Sequence, residues 1–454
     1  MVTRRFATLL WITIIPLMSI AQSDRPEDRI VHMLDEARPF HVVSTSTFDE
    51  LGWDLAEGGR IVQALADAAP GGAFDPRGLE AIPEQKLGYT ANWHEVRFQF
   101  YGLDWDIGAL HLVPAQTVAG LPTLAIINGG AANWYEFFVD PRNRPGLAQY
   151  LAQRIPVLLI TIPGNYRHGG WTEPDFAERI PAYVLDRDIG PDEAALRNAV
   201  FTFRLVSHGV AVAIDKVVSG PVVIIGHSTG GEVQFLLKES LADRLQGLSI
   251  GWGTGGPAGL EAMREFRGRR SIDDYPHVSR LRARTPEQYA GSYLGPLNPF
   301  WDAVKSREQM AEEWMAREAR RRPQFKQPLQ DFEHTSAIDL KDAIAAQIRE
   351  TLAGNEWHID ASEVIADLFS TMRSPVSGYR KMIWTTASLD TGHWNDDPQA
   401  ARELLIAEEF RDANPDADIR VLLFDVPMTH YGHIERPRQL AGGLLAAVRW
   451  LTVD

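Results

Sequence analysis

The residue best placed to do chemistry is Ser228, in the run Gly226-His227-Ser228-Thr229-Gly230. The apolar stretch Val222-Val223-Ile224-Ile225 leads directly into it, and Val233, Phe235, Leu236 and Leu237 follow at helical spacing. A serine between a buried strand and a helix sits in a very tight turn with strained backbone angles. Side chains two residues to either side would collide with the neighbouring strand and helix, so glycine is needed there. The hydroxyl then projects from the sheet edge near a helix N-terminus, whose dipole favours developing negative charge. That placement suits nucleophilic attack on a carbonyl, provided a positioned base takes the hydroxyl proton. The alternative is a glycine-rich turn without catalysis. His227 adjoins the serine, but neighbours on a strand face opposite ways, so it reads as a packing residue.

A G-x-S-x-G run in a strand–turn–helix setting resembles the nucleophile element of the α/β-hydrolases, and the chain resembles that superfamily over roughly residues 90–454. The resemblance implies a serine hydrolase of the esterase or lipase kind, with partners in the order serine, acid, histidine. Residues 430–437 (HYGHIERP) are similar to the family's loop after the last strand and place the base at His430. The Gly432-His433 pair keeps His433 as an alternative base, because the family usually has Gly before the catalytic His. The acid, which holds the His tautomer, falls on Asp390, just past the strand-like run Lys381 to Ala387, with Asp396 and Asp397 as alternatives. The oxyanion would be held by backbone N–H groups. Thr229 supplies one, and the loop Asn128-Gly129-Gly130-Ala131 supplies the other at Gly130, with Ala131 next. Asn128 stands where the family commonly has His.

The elements that must position these residues alternate. His94 to Tyr101 and Trp105 to Val113 read as an antiparallel hairpin. Short apolar runs follow at Leu124–Ile127, Val157–Ile162, Val222–Ile225, Leu248–Ile250, Met382–Thr386 and Val421–Phe424. Such runs suit strands buried on both faces of a parallel sheet. Helical patterns lie between them, notably Glu193–Val218 and Glu232–Leu245. The fold class is therefore α/β; with the resemblance it becomes an α/β-hydrolase fold, a mostly parallel central sheet flanked by helices. Residues 22–88 read as an N-terminal extension packed on the core, with a short helix at 61–65. Residues 89–257 and 379–454 form the core, and 258–378, helical in pattern and rich in Trp and Tyr, read as a large inserted cap. The run 317–322 (REARRR) within it reads as a solvated helix face.

Composition narrows the function. A net charge of -15 opposes nucleic-acid binding and adsorption to anionic membranes. With no cysteine, a Cys nucleophile, Cys-bound zinc and iron–sulfur clusters are excluded. The His430/His433 spacing has no companion ligands, so no metal is expected. Residues 251–256 (GWGTGG) superficially match a dinucleotide fingerprint, but Pro257 follows and no acid is placed on a second strand. No cofactor is expected. Arg4 and Arg5, the apolar run Phe6 to Ile20 and small residues at Ser19 and Ala21 read as a signal peptide over residues 1–21. A secreted or periplasmic protein with no membrane span after its removal is expected. The expected substrate is a small ester. An amidase or peptidase with the same triad is the alternative, and a non-catalytic binding protein on the same fold a more distant one. The oligomeric state is not legible.

Overall fold

The computed structural model describes residues 40–43, 55–68, 76–116, 121–128, 134–139, 144–161, 191–227, 248–252, 345–368, 380–387, 415–424 and 432–452, with single positions between them. Its strands are β1 (Phe40–Val43), β2 (Tyr89–Phe100), β3 (Leu103–Pro114), β4 (Thr123–Ile127), β5 (Val157–Ile160), β6 (Val222–His227), β7 (Leu248–Trp252), β8 (Lys381–Ala387) and β9 (Asp418–Phe424). The helices are α1 (Ala56–Ala68), α2 (Glu84–Leu87), α3 (Leu147–Leu151), α4 (Pro191–Ala199), α5 (Phe203–Val217), α6 (Ala361–Leu368), α7 (Gly432–Glu435) and α8 (Pro437–Thr452).

One sheet takes all the described strands, in the order β1-β9-β8-β7-β6-β4-β5-β3-β2. The β2–β3 hairpin is antiparallel, β3 meets β5 antiparallel, and every pairing from β5 through β4 and β6 to β9 and β1 is parallel. β4, β5 and β6 are buried at every position. Their unbroken apolar runs follow from this, since a central parallel strand meets helices on both faces. Alternation splits the core in two. Leu124 and Ile126 of β4 face one layer, with α3 and α8, while Ala125 and Ile127 face the other, with α5. On the first face Phe424 of β9 lies so close to α8 that a Cβ on Gly443 would stand 2.2 Å from its ring. The helix can approach the strand only because that position has no side chain.

The structure departs from the sequence reading in two places. The pattern over Glu193–Val218 is not one helix. It is broken into α4 and α5, and Thr202, with extended backbone (φ -113°, ψ 165°), caps α5 by accepting the Leu205 N–H on its hydroxyl. Such a cap satisfies a helix-start donor that a continuous helix would not expose. The region before residue 88 also supplies a strand, β1, which pairs parallel to β9 at the sheet edge.

Residues 345–368 are the described part of the expected insertion. They are largely helical, and Ile348, Leu352 and Val364 join the α5-side core. The Tyr101 hydroxyl, at the hairpin turn, donates to Asp367 of α6, and Arg204 of α5 pairs with the same carboxylate at 3.1 Å. Among the described residues no helix is long and apolar enough to cross a membrane.

Candidate active site

The chain leaves β4 to form β5 on one side, then returns to form β6 on the other side of β4. The crossover helices change face with it: α3 belongs to one core layer and α5 to the other. In open α/β sheets a crevice opens outside the carboxyl ends of the strands at such a reversal, and ligands bind there. Here that crevice lies between the ends of β4 and β6, paired at Ile127 and Gly226.

The end of β6 has the geometry the glycines imply. The strand ends at His227 and the backbone is already helical at Gly230, three positions along the chain. A Cβ on Gly226 would stand 2.5 Å from the Gly231 Cα and 2.6 Å from the Gly230 carbonyl oxygen. One on Gly230 would stand 2.5 Å from the Ile127 carbonyl oxygen and 2.8 Å from that of Asn128. The helix start is thus folded back against its own strand and against the end of β4. Any side chain at either position would strike main chain, which cannot swing aside. Together with the strand order, that close turn decides the architecture.

The chain has the α/β-hydrolase fold.

The remaining candidate-site segments follow strands that end at the same edge of the sheet. Ile127, Gly226, Gly251, Trp384 and Val421 form one row across β4, β6, β7, β8 and β9. Asp390 follows Trp384 by six residues and His430 follows Val421 by nine. β8 and β9 lie two and three strands from β6, or about 10 and 14 Å. Six extended residues reach about 20 Å, so both segments are long enough to reach the end of β6. Ser228, Thr229, Gly130, Ala131, Asp390, Asp396, Asp397 and His430 lie outside the described residues.

Of the candidate bases, His433 is described. It sits on α7 with no exposed surface, its ring stacked on Phe137 at 4.1 Å between centroids and 5° between planes. His227 is buried on the same side of the sheet, edge-on to His433 at 4.8 Å and to Phe137 at 5.5 Å. Its role in packing is the one its strand position implies. Phe137 was not singled out from sequence. It closes a single 3-10 turn, Trp134–Phe137, that begins directly after residues 129–133, and nothing in its local pattern marks it.

No known family profile and no curated protein sequence matches the chain. Solved structures do resemble it, at low identity. A bacterial membrane phospholipase A described as a virulence factor is 13% identical, covering 88% of this chain and 94% of that one, with a TM-score of 0.39. A thermophilic esterase from Thermogutta terrifontis is 14% identical over 79% of this chain and 100% of that one, with a TM-score of 0.38. An epoxide hydrolase from Vigna radiata is 11% identical over 78% and 96%, with a TM-score of 0.37. At these values the sheet order and the glycine turn, rather than the overlays, carry the fold.

Proposed function

We propose that this hydrolase cleaves a carboxylic ester through an acyl-enzyme on Ser228, outside the cytoplasm of its source. One observation carries the reading. β6 ends at His227 and the backbone is helical by Gly230, against main chain that excludes any side chain at Gly226 or Gly230, and Ser228 lies between the two in sequence. Main chain this close admits only glycine at those two positions.

In the proposed reaction His430 removes the Ser228 proton as the hydroxyl oxygen attacks the ester carbonyl. The N–H groups of Thr229 and Gly130 hold the oxyanion while the C–O bond to the alcohol breaks, and His430 returns the proton to that alcohol. Water, deprotonated by the same imidazole, then attacks the acyl carbon; the bond to the Ser228 oxygen breaks, the acid leaves, and the imidazole returns the proton to that oxygen. Asp390 holds the ring and balances its charge. The downstream spacing of residues 430–437 favours His430 as the base over His433. The Trp- and Tyr-rich residues 258–378 suit a bulky, partly apolar acyl or alcohol group.

The test is covalent labelling by a fluorophosphonate, beside hydrolysis of p-nitrophenyl esters of graded acyl length and the matching anilides. Wild type should label once and Ser228→Ala not at all, with esterase activity reduced by about 10³ or more. His430→Ala should fall nearly as far. Ester turnover by folded Ser228→Ala would refute the reading, and preference for the anilides would make the enzyme an amidase.

A further inference from the structure

Three segments far apart in sequence meet at one cluster of rings. Phe137 ends the turn that follows residues 129–133; His227 is bonded directly to Ser228; His433 lies three residues after His430. The centroid separations are 4.1 Å for Phe137–His433, 4.8 Å for His227–His433 and 5.5 Å for Phe137–His227, so every ring touches both others. One contact is a flat stack at 5°, and the other two are edge-to-face at 64° and 68°. Both arrangements are ones aromatic pairs prefer, and edge-to-face geometry depends on the tilt of each ring. Exposure is 0% for Phe137 and His433 and 1% for His227, so nothing here faces water.

Covalent neighbourhood gives this packing a consequence. The site's three proposed loops follow different strands, β4, β6 and β9. A dense buried contact transmits a shift of one ring to its neighbours instead of absorbing it. The geometry points to Phe137, His227 and His433 as a clamp that sets the mutual position of the nucleophile, oxyanion and base loops. This rests on the reading of Ser228, Gly130 and His430 given above. The three are positioning residues: each acts through the chain on a group beside it. In the clamp His433 contributes the flat face it stacks on Phe137, so phenylalanine should replace it.

The experiment compares His433→Ala, His433→Phe and Phe137→Leu with wild type in the full chain. Two readouts are used: kcat and KM on p-nitrophenyl butyrate, and hydrogen exchange of peptides covering 129–133, 226–231 and 425–432. His433→Ala should lower kcat by about tenfold to a hundredfold, the scale of a displacement near 1 Å, with KM changed less than threefold. Exchange should quicken in all three peptides, including the two remote from the substitution. Phe137→Leu, which stays apolar but loses the flat stack, should act in the same direction and serves if His433→Ala does not fold. His433→Phe should recover kcat to within about fivefold and restore slow exchange.

The clamp is overturned if exchange quickens only in 425–432, or if folded His433→Ala and Phe137→Leu keep wild-type kcat. It is also overturned if His433→Phe is as inactive as Ser228→Ala, because the imidazole nitrogens would then be at work. An inactive, unlabelled wild type whose exchange still responds in all three peptides would sustain the clamp and sink the hydrolase reading alone.

Discussion

Adding one methyl group at Gly230 tests the turn at the centre of the site. The new Cβ would stand 2.5 Å from the Ile127 carbonyl oxygen, about 0.9 Å inside the 3.4 Å at which ordinary contact begins. Its second neighbour, the Asn128 carbonyl oxygen at 2.8 Å, blocks retreat along β4. The strain must move either the helix start or the end of β4. One carries the proposed nucleophile and the other the proposed oxyanion donor. A misplacement near 1 Å costs about 10²-fold in rate, so Gly230→Ala should lower kcat to that extent on an ester substrate. Stability should change less. Overpacking costs about 1–3 kcal/mol, and alanine in a helix returns up to about 1 kcal/mol relative to glycine. The net loss of about 0–2 kcal/mol should lower Tm by only a few degrees in a chain this long. Gly220→Ala is the control, because a Cβ there meets nothing within 4 Å. Scanning calorimetry and ester kinetics on both variants give the answer. Full activity and an unchanged Tm in Gly230→Ala would refute the close approach, and an equal loss in Gly220→Ala would refute the explanation.

Burial, reinforced by Glu95 and opposed by Arg97, pushes the Asp106 carboxyl from 3.8 up to about 7. A raised acid pKa contributes stability that is complete below 3.8 and is lost as pH rises through about 7, so the protein should lose a few kcal/mol between pH 4 and 8. Asp106→Asn should flatten that decline, and an unchanged difference in Tm between those pH values would count against it. Arg197, 1% exposed, pairs with Glu193 at 2.8 Å, donates to the Asp104 carbonyl and lies over Trp105 at 5.1 Å. Arg197→Ala should cost about 3 kcal/mol in urea unfolding, since it leaves a mostly buried carboxylate without its cation; a loss under about 1 kcal/mol would contradict that. In an exporting host the mature chain should begin near Gln22, and an intact mass that retains residues 1–21 would oppose the proposed export.

Much of this protein was decided locally. The apolar runs that became β4 to β9 suited buried strands of a parallel sheet, and Gly226 and Gly230 mark a close approach whose crowding comes from chain a few residues away and one adjacent strand. The expected acid and histidine, after β8 and β9, came from the family resemblance rather than from the local residues alone. Tertiary structure decided what rests on long-range partners. Phe40–Val43 is too short to declare itself a strand and becomes one because the β9 edge offers its hydrogen bonds. The helical periodicity of 193–218 carries on through Thr202, yet the chain breaks there, where the hydroxyl caps a helix packed against the sheet. The meeting of Phe137, His227 and His433 has no local signature at all. Each is an ordinary ring in its own segment, and only the return of the chain across the sheet, burying all three on one side of β6, brings their faces and edges together.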